Sequence, residues 1–260
     1  MVLINNQPNE NNAFSTKIIE SGLSIYEVIR VFEGHPIFLR DNLVRLANSL
    51  TKSNIDIDIE NLNIPEKLRH FILLEKMTEG NIKYVLHFTS QHPDEYIFRI
   101  PHSYPTEIQY RDGVPTMTLQ AMRENPEVKY INADLRTQTN QLIQENHVYE
   151  VLLVDKDGFI TEGSRSNVFF IKGETLYTSP LQYVLPGTSR KRVFDLCKAN
   201  HIQVIEERID CNKLNEYDIA FITGTSPLIL PINRIDNIRY NTNNDFLHRL
   251  MKSYFALLEG

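Results

Sequence analysis

Runs with strand character and runs with helical spacing interleave along the whole chain, without a regular strand–helix–strand period. That mixture argues for an α+β fold over a doubly wound parallel sheet. Near the start, residues 24–32 (SIYEVIRVF) are rich in strand formers and lead into the turn cluster Glu33-Gly34-His35-Pro36 and a short strand. Asp41 is then expected to cap a helix that carries Leu43, Leu46 and Leu50 on one face. A second helix opens at Asn63 with Pro65 in its first turn, presents Leu68, Phe71 and Ile72, and is expected to stop at Gly80. Strands follow over 82–88 and 95–100. Pro101, Pro105 and Asp112-Gly113 then mark a break. The boundary is placed near Pro105, giving a small N-terminal α/β domain (1–105) and a larger C-terminal domain (106–260).

The remainder is richer in strands. Lys129 lies between apolar neighbours in Glu127-Val128-Lys129-Tyr130-Ile131, which reads as a strand. Residues 134–146 have helical spacing through Leu135, Leu142 and Ile143. Residues 149–154 form a compact apolar strand, Asp157-Gly158 a hairpin turn, and 167–171 the expected partner strand. Helices are expected over 188–199 and 245–258, with strands over 202–205 and 218–223 between them.

Charge narrows the partners. The 260 residues carry a formal net charge of -6, which gives no electrostatic reason for nucleic acid or an anionic membrane. Any anionic ligand must be held locally. Cys197 and Cys211 are too far apart for a Cys-x-x-Cys pair, which favours a reducing, cytoplasmic setting. The Asn-rich tip, 1–14, has neither the basic start nor the apolar stretch of a secretory signal, and no apolar run approaches the roughly 20 residues that span a bilayer. His87, His92 and His102 lack metal-ligand spacing, Asp155–Gly158 reads as a turn, not a calcium loop, and no dinucleotide fingerprint or P-loop is present, so no metal is expected.

Four features can carry chemistry. Gly187-Thr188-Ser189 sits at the start of an expected helix, and Gly224-Thr225-Ser226 follows an expected strand. Each is a small-residue turn whose N–H groups and hydroxyls could cradle a phosphate, or simply cap its element. Glu162, in Thr161-Glu162-Gly163-Ser164, reads alone as a solvated loop charge, Lys129 alone as a snorkelling edge residue, and Arg45 alone as a surface residue of the first helix.

Read together and in order, these segments resemble the class IV aminotransferase family, the fold-type IV enzymes of pyridoxal 5'-phosphate (PLP). Branched-chain aminotransferases, D-amino-acid transaminases and 4-amino-4-deoxychorismate lyases belong to it. The stretch YEVLLVDKDGFITEGSRSNVFFIKGETLYTSPLQYVLPG, residues 149–187, is similar to the family's T-E-G-S-x-S-N core and later L-x-G. Gly187-Thr188-Ser189-Arg190 resembles its G-I-T-R, FITGTSPLILP (221–231) its F-x-T-G-T segment, and Tyr26-Glu27 with Asn42–Leu46 its Y-E and H-L-x-R-L. The resemblance spans about 23–236.

What it implies follows position by position. Lys129, with Asn132 three residues on, would bind PLP as a Schiff base. Glu162 would face the pyridine nitrogen, and Tyr26 would stand near the substrate. Arg45, Thr188, Ser189, Thr225 and Ser226 would hold the phosphate. The resemblance implies a two-domain class IV fold with PLP in the C-terminal domain, a homodimer, and small amino-acid and α-keto-acid substrates. Transamination is the favoured reaction. A PLP-dependent lyase of the aminodeoxychorismate type is the first alternative, and a non-catalytic protein that binds PLP or a phosphorylated ligand is the second. The chain departs from the pattern at Asn42, where the family has His, and at Ala133-Asp134, where many branched-chain enzymes place a tyrosine. It departs again at His87-Phe88-Thr89-Ser90-Gln91, where many transaminases recognise the substrate carboxylate. Arg99, His102 and Arg136 are candidates for that last task.

Overall fold

The computed structural model describes residues 1–9, 14–90 and 92–258. Part of the Asn-rich tip (10–13) and Gln91 therefore lie outside the described residues. Two compact units form, Met1–Ser103 with Val128–Ala133, and Tyr104–Glu127 with Asp134–Gly260.

In the first unit, strands β1 (Val2–Ile4), β2 (Gln7–Asn9), β3 (Leu23–Phe32), β4 (His35–Pro36), β5 (Gly80–Phe88) and β6 (Asp94–Ile100) make one sheet in the order β2-β1-β6-β5-β3-β4. The three long neighbours are antiparallel, with Tyr26 opposite Val85 and Lys83 opposite Phe98. Because side chains alternate across a strand, β3 sends Ile25, Glu27 and Ile29 to one face and Ser24, Tyr26 and Val28 to the other. The first face packs on helices α2 (Leu39–Lys52) and α3 (Ile64–Leu74), burying Ile25, Ile29, Leu46, Leu50, Leu68 and Phe71 in one cluster. The second face joins Tyr26, Val85, Tyr96 and Phe98 with Ile19 of the short helix α1 (Thr16–Glu20). With both faces covered, β3 is buried along most of its length, which is why it reads as a nearly continuous apolar run rather than an alternating one.

Three expectations about this unit change. Asp41 does not cap α2; Phe38 does, with φ 55°, and Asp41 sits in the first turn, where a carboxylate favours the helix dipole. Helix α3 ends at Leu74, not at Gly80. Lys76 takes a left-handed φ of 48°, and the N–H groups of Lys76 and Met77 donate to the carbonyls of Leu73 and Ile72, which closes the helix. Gly80 instead opens β5. Finally, Lys129 is not on a regular strand. Turns precede it and helix α5 (Ala133–Asn146) follows at once, so one antiparallel bridge, Ile25 to Tyr130, is all the pairing that fits.

In the second unit, helix α4 (Glu107–Asp112) precedes a ten-stranded sheet. Its strands are β7 (Val114–Gln120), β8 (Glu150–Val154), β9 (Phe159–Gly163), β10 (Asn167–Lys172), β11 (Thr175–Thr178), β12 (Val204–Glu206), β13 (Ile209–Asp210), β14 (Ile219–Gly224), β15 (Leu228–Ile235) and β16 (Ile238–Arg239). The order is β12-β11-β10-β14-β15-β7-β8-β9-β13, with β16 attached to β15. Helices α6 (Thr188–Ala199) and α7 (Asp245–Ala256) complete the unit. The turn at Asp157-Gly158 does form, with Gly158 at φ 86°, but the strand it returns is β9, not the apolar run at 167–171. That run is the interior strand β10, paired with β11 and β14 and buried at every position but Lys172. The change matters, because it puts Glu162 on a strand.

Candidate active site

In the first unit, the short segment around Lys129 is tied to two elements through its main chain. The Tyr26 N–H donates to the Lys129 carbonyl at 3.0 Å, the Ile131 N–H donates to the Ser24 carbonyl at 3.0 Å, and the Lys129 N–H donates to Ser49 Oγ of α2 at 3.2 Å. The Lys129 ammonium lies 4.7 Å from the centroid of the Tyr26 ring, and Lys83 Nζ approaches the same ring at 4.5 Å. One tyrosine therefore meets two cations, a contact its π-face favours. Lys129 and Tyr26 are thus brought together. Sequence reasoning did not single out Lys83; its place opposite Val28 on β3 depends on strand register.

Arg45 lies on the other face of the same sheet. Its Nε donates to Glu27 Oε1 at 2.8 Å and its Nη2 reaches Glu27 Oε2 at 2.5 Å, a two-point pair buried below α2. Asn42 Nδ2 also donates to Glu27 Oε2, at 2.8 Å. The expected phosphate arginine is therefore held in place by a buried carboxylate, which fixes its planar fork. On the face of Tyr26, the Ser24 hydroxyl and His87 Nδ1 are 2.8 Å apart, both side chains buried. Arg99, one of the candidates for a substrate carboxylate, reaches the Glu79 carbonyl at 3.5 Å.

In the second unit, Glu162 is no solvated loop charge: its side chain is 3% exposed. Oε2 accepts from the Leu185 N–H at 3.1 Å and from Asn167 Nδ2 at 3.5 Å, and Oε1 is paired with Arg123 Nε at 3.1 Å. Asn167 also donates to the Leu185 carbonyl at 3.0 Å. The next turn is anchored by a second buried carboxylate. Glu150 accepts from Ser164 Oγ at 2.6 Å, Ser166 Oγ at 2.8 Å and the Arg165 N–H at 3.2 Å. Room is short here: a Cβ on Gly163 would come within 3.0 Å of Glu150 Oε2, and one on Gly187 would fall 2.0 Å from Asn167 Oδ1. Neither Arg123 nor Glu150 was singled out in the sequence, where they stand 39 and 12 residues from Glu162 with no pattern linking them.

Thr188 and Ser189 form the first turn of α6 and are buried. Gly187 at the cap offers no side-chain bond, and the first turn holds no acidic residue. A twelve-residue helix that starts with main-chain donors and two buried hydroxyls suits a phosphate. Thr225 and Ser226 lie in the tight turn between β14 and β15 and are half-buried. Arg190, next to Ser189 in sequence, is committed elsewhere, to the Ser179 carbonyl at 3.1 Å and Glu206 at 2.8 Å. Taken unit by unit, the residues present fit the parts of PLP: in the first, a lysine against an aromatic ring; in the second, a buried carboxylate suited to a ring nitrogen and an uncapped helix start with hydroxyls suited to a phosphate. Among the described residues, no three His, Cys, Asp or Glu side chains are grouped to hold a metal, and no helix is long and apolar enough to cross a membrane.

Known proteins share this architecture. A D-alanine aminotransferase of Bacillus licheniformis is 26% identical over 252 residues, covering 90% of this chain and 88% of the relative. An aminodeoxychorismate lyase of Bacillus subtilis is 22% identical over 240 residues, covering 86% and 81%. The structure of a hypothetical aminotransferase from Mycobacterium tuberculosis, in its PLP-bound form, superposes with a TM-score of 0.82 at 17% identity over 99% of this chain and 98% of that one, a likeness of fold. Residues 24–235 match the profile of amino-transferase class IV, and the chain belongs to that family, whose enzymes use PLP.

Proposed function

We propose that this class IV enzyme moves an amino group between a small amino acid and an α-keto acid, with Lys129 as the Schiff-base lysine. The observation that carries the proposal is Glu162, a buried glutamate in the T-E-G-S stretch held by Leu185, Asn167 and Arg123. When bound, PLP supplies the electron sink for chemistry at the substrate's Cα. Glu162 would face the pyridine nitrogen, accept its hydrogen bond and favour its protonated form. Thr188, Ser189, Thr225 and Ser226 would hold the phosphate through N–H donors and hydroxyls, and Arg45 would supply one fixed charge. Tyr26 orients Lys129 from below its ammonium. Lys129 Nζ would hold and move the proton at the substrate's Cα, acting as general base and general acid. The acting form is read as a homodimer in the cytoplasm, where Cys197 and Cys211 stay reduced.

The lyase reaction uses the same lysine, carboxylate and phosphate cup, and the similarity to the B. subtilis lyase makes it the second reading. Incubating the PLP-loaded protein with amino-acid and keto-acid panels separates the two. Keto-acid formation that depends on an acceptor supports transamination. Cleavage of 4-amino-4-deoxychorismate with no acceptor present would replace it with the lyase reading.

A further inference from the structure

We propose that Arg123 is a positioning residue for Glu162, holding that carboxylate ionised and aimed so that the cofactor's ring nitrogen keeps its proton. The inference rests on the role proposed above for Glu162. Arg123 lies in the irregular stretch that follows β7, yet its side chain is only 9% exposed. Its Nε stands 3.1 Å from Glu162 Oε1, and its Nη2 donates to the Ser164 carbonyl at 3.3 Å. One guanidinium thus pairs by charge with the carboxylate and is hydrogen-bonded to the main chain two residues further on.

Burial disfavours the charged form of a carboxyl group. The Leu185 N–H and Asn167 amide soften that cost as neutral donors, whereas Arg123 brings a full positive charge that no accessible pH removes. A glutamic acid that kept its own proton could not accept one from a pyridinium. Arg123 touches the carboxylate itself, so its field acts most strongly there and leaves the shared proton on the ring nitrogen. The hydrogen bond to the Ser164 carbonyl holds the arginine at a second point and keeps its charge beside Oε1.

The test uses the PLP-loaded protein and compares Glu162→Gln, Arg123→Gln, Arg123→Lys and the double variant Glu162→Gln/Arg123→Gln. Arg123→Gln is expected to lose at least about tenfold in turnover while keeping its PLP content, and its visible cofactor band should shift in the same direction as that of Glu162→Gln. The double variant should be within about twofold of Glu162→Gln alone, because both changes remove one function. Arg123→Lys should recover most of the loss. Reconstitution with a PLP analogue that has carbon in place of the ring nitrogen should make Arg123→Gln and the unaltered protein equal. A loss that persists with the analogue, or that adds fully to Glu162→Gln, would overturn the inference and leave Arg123 a structural residue. Should Arg123→Gln fail to fold, the double variant, which leaves no unpaired charge, and Arg123→Lys carry the comparison. A normal Arg123→Gln beside an impaired Glu162→Gln overturns this inference alone. Normal turnover and spectrum in Glu162→Gln overturn the reading of Glu162 and this inference with it.

Discussion

Two buried ion pairs, Glu27 with Arg45 and Glu162 with Arg123, carry most of what the side chains say about function, and they differ in what they predict. Truncating Arg45 to Ala removes the charge proposed for the phosphate and also leaves the buried Glu27 without its charged partner. The apoprotein should therefore lose about 3–5 kcal/mol of folding stability, the usual cost of breaking a buried pair from one side. Changing Glu27 to Gln together with Arg45 to Met should restore much of that stability but not PLP affinity. Urea unfolding and PLP titration of the same variants separate the two effects. Thr225→Val, which loses one hydroxyl, should cost PLP binding only about 1 kcal/mol. An Arg45→Ala protein with unaltered stability would contradict the pairing. The candidate residues themselves were legible in the sequence because they sit in ordered, family-like segments. Their partners were not. Glu27 reaches Arg45 only because β3 turns its odd residues toward α2, and Arg123 reaches Glu162 only through the folding of an irregular segment, neither of which spacing encodes.

At the level of elements, helix positions and most helix ends were read well, as at 134–146 and 188–199, and the end clearly missed, that of α3, has its reason in one piece of backbone geometry. Helices α2, α3 and α6 each close with a residue in the left-handed conformation, and in none of them is it glycine: Asn54 (φ 55°), Lys76 (φ 48°) and His201 (φ 55°). After each, paired N–H groups turn back to the last carbonyls, as the N–H groups of His201 and Ile202 do to Lys198 and Cys197. A search for glycine stop signals overruns α3 for this reason. His201→Gly should accordingly relieve strain and stabilise the fold by about 0.5–1 kcal/mol, visible as a higher urea midpoint with an unchanged slope. A lower midpoint would mean that the His201 side chain contributes contacts that outweigh the strain. The hairpin at Asp157-Gly158 gives the complementary lesson. Its turn was read correctly, but the stronger apolar run at 167–171 drew the assignment away from the modest strand Phe159–Gly163, which is the actual partner.

Over the molecule as a whole, the mixed sheets and helices were legible because strand and helix periodicities survive in the sequence. The return of Val128–Ala133 to the first unit was not, because a single bridge at Ile25 and Tyr130 carries almost no sequence signal. The buried acids of both units predict one shared property. Burial pushes the Cys197 thiol up to about 12, and burial, reinforced by Glu150 and Glu207 respectively, pushes the Tyr149 and Tyr217 hydroxyls up to about 12. Tyr84, beside Glu95, and Tyr240 shift further in the same direction. Folded-state values above those of the unfolded chain mean that the native state holds these protons longer. Their contribution is therefore complete below about pH 9 and is lost progressively as pH rises toward about 12. Thermal midpoints should fall across that range, and a flat profile would show that these groups are more accessible than the structure has them. Sedimentation should find a dimer, and a fully active monomer would reject that part of the proposal. The central claim, that Lys129 carries PLP, has the most direct test. Borohydride reduction of the PLP-loaded protein followed by peptide mapping should place the phosphopyridoxyl group on Lys129, and Lys129→Ala should show neither the adduct nor the visible band. An adduct on another lysine, or an unaltered band in Lys129→Ala, would contradict it.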